Sequence, residues 1–346
     1  MIRELLLSRF NNSLDLFASD TRVRRYALFP FRFEMSPCVA AQFGYSRLDS
    51  CNANVRQYLL NYLNGFPLSQ KTQDGGDDLF NLLIWDRIAR QGPSSPRSYT
   101  YPIRDQFGSV GVLTSRQFSS TLGRGLAFTT KLLGNPANTS SHFDIGSYAI
   151  AFNGVTLGGD SGRPISWKRV ASGLSTSLAH PLPLVSGQPQ LSSFDIKKNN
   201  TRLPSIRYTT FSSDTDVINM DLKSSYPSGL NLRSLQRKFM FDRKRSTLNV
   251  TDFVSFVTAS AFSTTTTSTM QNWVQLTNTT GYFTTPGQSL RLYVSAKSST
   301  HPRGLSVTAN LFTDLDIRVW RIIASFRDRV INGTITFEFS TYLIRN

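Results

Sequence analysis

Strict alternation of apolar and polar residues near the C-terminus restricts the fold of this chain more than any other feature. In SLRLYVSA (289–296) the side chains of Leu290, Leu292, Val294 and Ala296 fall on one face, and in GTITFEFS (333–340) those of Ile335, Phe337 and Phe339 do the same. RGLSVTANLF (303–312) repeats the pattern with Leu305, Val307, Ala309 and Leu311. A period of two is that of a β-strand, and a polar opposite face marks a half-buried antiparallel sheet. LDIRVWRIIASF (315–326) begins in the same way and then loses the alternation, which predicts a bulge or a switch to helix near Trp320 to Ile322.

From about residue 100 onward, Ser, Thr, Phe and Val with Gly and Pro punctuation favour strands. Helical spacing is confined to the first third, in NVRQYLLNYLNGF (54–66) and DDLFNLLIWDRIARQG (77–92), the second opened by Asp77 and Asp78 and closed by Gly92-Pro93. Two polar stretches, the Pro/Ser-rich 172–193 and the threonine tract 260–273, read as surface loops or extended edges. No repeat of solenoid or propeller length is present. A chain of 346 residues with 39% apolar content can bury one large core. The expected fold is mainly β, an antiparallel β-sandwich of jelly-roll type with a few short helices, mostly in the N-terminal third.

The balance of 38 basic against 22 acidic residues gives a formal charge of +16, and arginine outnumbers lysine 29 to 9. Guanidinium forks suit phosphate, so nucleic acid is the first partner to expect. Two clusters carry the expectation. TRVRRYALFPFRF (21–33) supplies Arg22, Arg24 and Arg25 among aromatic rings. RSLQRKFMFDRKRS (233–246) supplies Arg233, Arg237, Lys238, Arg243, Lys244 and Arg245 around the apolar Phe239-Met240-Phe241. Sequence-reading modules of the zinc-finger, helix-turn-helix and RNA-recognition types are absent, so contact through these nine residues would be sequence-independent. Cys38 and Cys51 lack zinc-site spacing, phosphate-binding loops are missing, and no apolar run reaches the length of a signal core or a membrane span. The acidic pairs Asp77-Asp78, Asp214/Asp216 and Asp314/Asp316 read as solvated, and neither a cofactor nor a metal site is expected.

One string invites a catalytic reading. Gly159-Asp160-Ser161-Gly162-Arg163-Pro164 resembles the nucleophile loop of the alphavirus capsid proteases, which implies Ser161 as a nucleophile. Such a serine needs a histidine and an acid upstream. Of His142, His180 and His301 only His142 precedes Ser161, by 19 positions, which leaves no room for the intervening strands of that fold. A Gly-rich turn in which Asp160 bonds backbone amides is the preferred reading, and no catalytic residue is assigned.

The late strands SLRLYVSA, LSVTANLF and GTITFEFSTYL, with the basic segments 21–32 and 233–245, resemble the coat proteins of small icosahedral positive-strand RNA viruses, including those that infect algae and dinoflagellates. The resemblance implies a non-enzymatic capsid protein. Residues 1–40 would pack as an arm under the shell, and residues 41–346 would form a single jelly-roll shell domain with long decorated loops. The implied partners are further copies of the chain, genomic RNA on a basic inner surface and a host receptor on the outer loops, with no membrane; the implied locations are the virion and the host cytoplasm. The alternatives are a serine hydrolase using Ser161 and a non-viral β-sandwich binding module.

Overall fold

The computed structural model describes residues 34–36, 39–40, 100–107, 111–119, 124–133, 144–160, 180–191, 204–268, 270, 272–285, 288–298, 304–314 and 317–342. All pairing among the named strands is antiparallel, as the alternation requires. A short hairpin of β1 (Glu34–Ser36) and β2 (Val39–Ala40) comes first. A five-stranded meander follows, of β3 (Arg104–Phe107), β4 (Val112–Arg116), β5 (Leu126–Lys131), β6 (Tyr148–Phe152) and β7 (Val155–Gly159), in that spatial order. Strands β8 (Pro183–Val185), β13 (Phe262–Ser268), β17 (Leu305–Asp314) and β18 (Ile317–Phe326) form a second sheet in the order β17-β18-β13-β8. The largest sheet comprises β9 (Ser205–Phe211), β10 (Thr215–Asp221), β11 (Leu232–Asp242), β12 (Thr247–Ser260), β14 (Asn272–Thr277), β15 (Thr280–Thr285), β16 (Gln288–Ser298) and β19 (Val330–Tyr342). Its order is β14-β15-β16-β19-β12-β11-β10-β9.

Two layers result. The alternating residues of the long strands send Leu235, Phe239 and Phe241 of β11, Leu248, Val250 and Val254 of β12, Leu290, Leu292 and Val294 of β16 and Ile335, Phe337 and Phe339 of β19 into one core. The two smaller sheets cover that face side by side. Phe128 of β5 stacks on Phe239 and Tyr148 of β6 meets Phe339 edge-on, while Ile322, Ala324 and Phe326 of β18 enter the same cluster. The smaller sheets are joined where Thr267 and Ser268 of β13 donate to the carbonyls of Gly159 and Leu157 on β7.

Several expectations change. Mainly antiparallel β structure is present, but the sheets are meanders of largely consecutive strands, and the jelly-roll connectivity is not confirmed by their order. Among the described residues the only helical elements are two 3₁₀ turns, Lys223–Ser225 and Ser228–Leu230; the early segments 54–66 and 77–92 lie outside them. The stretch at Trp320 to Ile322 neither bulges nor turns helical: β18 pairs without a register shift on both sides. Its alternation fails because both of its faces are covered, with Val319 and Arg321 buried on one and Ile322, Ala324 and Phe326 on the other. The threonine tract is a buried strand, not a surface loop. Thr264 through Ser268 are fully buried because most of their hydroxyls find partners, the carbonyl oxygens of His180, Leu182, Gly159 and Leu157 and the Asp252 carboxylate among them.

Candidate functional site

The first of the clustered groups stands where the meander turns back between β5 and β6. Gly146, at φ +84, turns the chain, and its N–H donates to the Lys131 carbonyl at 2.7 Å, which brings Asp144 beside the end of β5. There the Lys131 ammonium forms an ion pair with Asp144. The end of β7 supplies the second group. Gly159 lies at φ +100 with its Cα against the backbone of Tyr148, and Asp160 follows with its N–H on the Tyr148 carbonyl at 2.6 Å. The third group, His180, enters just ahead of β8, where Thr265 of β13 accepts the Leu182 N–H and lies 2.9 Å from the His180 carbonyl, to which it donates.

Asp144, Asp160 and His180 are all buried, and one ligand atom of each lies within 4.8 Å of the others. His180 Nδ1 stands 2.9 Å from Asp160 Oδ2, which also accepts the Ser147 hydroxyl at 2.6 Å. Burial pushes the Asp144 carboxyl above its ordinary value, against the pull of Lys131. Burial pulls His180 down, but the Asp160 charge and hydrogen bond, helped by Asp144, outweigh it and leave the imidazole above its ordinary value. Two carboxylates and an imidazole form a donor set suited to a divalent metal such as zinc. With the ammonium of Lys131 on Asp144, the same set is stable in protonated form, so metal and protons compete for it.

A second buried group clamps the cluster from beneath. Arg237 of β11 grips Asp252 of β12 with Nε and Nη2, each at 2.7 Å, and Thr264 of β13 donates to the same carboxylate at 2.6 Å. Its Nη1 donates to the carbonyls of Gly146 at 2.8 Å and Pro181 at 2.6 Å. These carbonyls belong to the two segments that carry Asp144 and His180. One guanidinium thus ties the large sheet, the four-stranded sheet and the frame of the cluster together. Burial opposes its charge, but Asp252 more than restores it.

Of the nine arginines and lysines expected to meet nucleic acid, six are among the described residues. Arg22, Arg24 and Arg25 lie outside the described residues. Arg237 and Arg243 are buried, Arg243 on Asp216 together with Arg104 and Ser115. The period of β11 turns Arg237 inward with Leu235, Phe239 and Phe241, and Arg243 follows the end of that strand, so both charges are directed at the protein's own carboxylates. Arg233, Lys244 and Arg245 are exposed, Lys244 paired with Asp214 at 2.7 Å, and Lys238 is half-buried on the outer face of the large sheet. Ser161 and the residues after it lie outside the described residues, whereas Asp160 is a buried partner of His180 and Ser147. Sequence reading missed the pairing because it weighed Asp160 and His180 separately, and the two stand 20 positions apart with no spacing that joins them.

No family model matches the sequence, and no curated protein matches it. Solved structures do resemble it. The chain superposes on heparan sulfate lyase HepC from Pedobacter heparinus with a TM-score of 0.67 at 13% identity, over 99% of this chain and 50% of that one. The heparinase III-BT4657 gene product gives 0.63 at 13% identity over 93% and 46%, and another heparinase III gives 0.60 at 12% over 93% and 48%. The chain thus spans about half the length of these enzymes and shares their fold over that half. This likeness overturns the capsid expectation, with its icosahedral self-assembly and RNA packaging, and equally the expectation of a non-enzyme. Two features behind the capsid reading, alternating strands and long polar connections, are general to large antiparallel sheets and do not mark a shell protein.

Proposed function

We propose that this chain is the β-sheet half of a lyase acting on an acidic polysaccharide, with Asp144, Asp160 and His180 forming the frame of its site. The superposition on HepC over nearly the whole chain carries this reading. The charge of +16 supports it, since carboxylates and sulfates on a glycan accept guanidinium forks as phosphates do. Elimination from a uronate requires that its carboxylate be neutralised, that a base remove the adjacent proton and that an acid protonate the leaving oxygen. His180 is enclosed and held by Asp160, so its role is to fix the segments on either side of it, not to remove that proton. Asp144 precedes β6, Asp160 follows β7 and His180 precedes β8, so the cluster holds three parts of the chain at one point.

Incubation with heparan sulfate and with unsulfated uronate polymers tests the proposal, because each cut leaves a double bond conjugated to a carboxylate that absorbs in the ultraviolet. Absorbance growing with time is expected with at least one polymer, and His180→Ala is expected to lower the rate by about tenfold or more through loss of positioning. No product from any of them would overturn the reading.

A further inference from the structure

Among the described residues four arginines are buried: Arg116, Arg237, Arg243 and Arg321. Three of them meet carboxylates, Asp105, Asp252 and Asp216 in turn. Arg321 of β18 is 8% exposed, and both its Nε and its Nη2 are buried without a hydrogen-bond partner. Burial lowers its hold on the proton, and no carboxylate among the described residues offsets this. A buried, unpaired guanidinium is costly, and a fold that solves the same problem three times elsewhere does not leave it open without a reason.

The register places this group. Arg321 stands directly opposite Thr267 of β13 and Asn310 of β17, so the three side chains share one face of the four-stranded sheet. Thr265, two residues from Thr267 on that face, donates to the His180 carbonyl, and Thr267 donates to the carbonyl of Gly159, the residue before Asp160. The unpaired fork therefore lies one strand, about 5 Å, from the strand that holds the Asp160–His180 frame.

We propose that Arg321 is an oxyanion-binding group that takes a carboxylate or sulfate of the acidic polysaccharide, a role that rests on the lyase reading above. Its planar fork, with Nε and Nη2 both lacking a partner, matches either group in two parallel hydrogen bonds.

Thermal melting with sodium sulfate or sodium chloride at equal ionic strength, on the wild type, Arg321→Gln and Arg321→Lys, tests the site. General salting-out by sulfate acts on all three alike, so the difference between proteins is the reading. Arg321→Gln is expected to melt at or above the wild-type temperature in chloride and to lose the additional stabilisation by sulfate. Arg321→Lys, which keeps the charge but not the fork, is expected to retain part of it. A second arm measures binding of heparan sulfate oligosaccharides, where Arg321→Gln should weaken affinity roughly tenfold to a hundredfold. An unchanged sulfate response in both variants, or wild-type glycan affinity in Arg321→Gln, overturns the assignment of Arg321 while leaving the lyase reading intact. Failure of the wild type itself to bind any acidic glycan instead overturns that reading.

Discussion

Arg237 illustrates how much one side chain can carry. As a cation in a basic run it reads as a phosphate contact, yet it is 0% exposed and holds Asp252, Thr264 and the carbonyls of Gly146 and Pro181. Replacing it with Met leaves Asp252 buried and unpaired, and we expect a loss of about 3–5 kcal/mol in urea unfolding. Arg237→Met with Asp252→Leu should recover part of that loss, because no buried charge is then left alone; a double variant no more stable than the single one would refute the pairing as the cause. The inward direction of Arg237 was legible in the sequence, since it alternates with Leu235, Phe239 and Phe241. The partner was not, because Asp252 belongs to the next strand and only the register of β11 on β12 sets the two opposite each other.

At the scale of elements, the half-buried strands β16, β17 and β19 could be read directly, because their two faces meet different surroundings. Strands with both faces covered could not: β18 loses its alternation, and β13, almost entirely Ser and Thr, carries no apolar signal beyond Phe262. Its burial depends on carbonyls brought by residues 157–159 and 180–182, which are far away in sequence. The Gly-Gly-Asp string is likewise a strand end and not a free turn. A Cβ at Gly159 would stand 2.1 Å from the Tyr148 carbonyl oxygen, whereas at Gly154, also at positive φ, it would meet nothing within 4 Å. Gly159→Ala is therefore expected to cost about 3 kcal/mol or more. Gly154→Ala should cost only about 1 kcal/mol of backbone strain. Equal melting temperatures for the two variants would contradict the close approach of β7 to β6.

For the molecule as a whole, the cluster sets a pH dependence. His180 and Asp144 both titrate higher in the folded chain than their ordinary values of 6.5 and 3.8. Groups raised in this way stabilise the fold fully below their unfolded values and lose that contribution as pH rises through the folded ones. The urea midpoint of the metal-free wild type, relative to His180→Gln, should thus decline as pH increases above about 6.5. Zinc binds the deprotonated donors, so its stabilising effect should grow over the same interval. A wild-type advantage that is flat with pH, together with no response to zinc, would exclude both roles. The overall charge of +16 does not by itself name a partner, since guanidinium does not distinguish phosphate from sulfate. Asp144 stands ahead of β6, Asp160 at the end of β7 and His180 ahead of β8, so one buried cluster fastens the five-stranded sheet to the four-stranded sheet. The cluster is thereby a rivet between two sheets that share no backbone ladder, and loss of any one of its groups should loosen both.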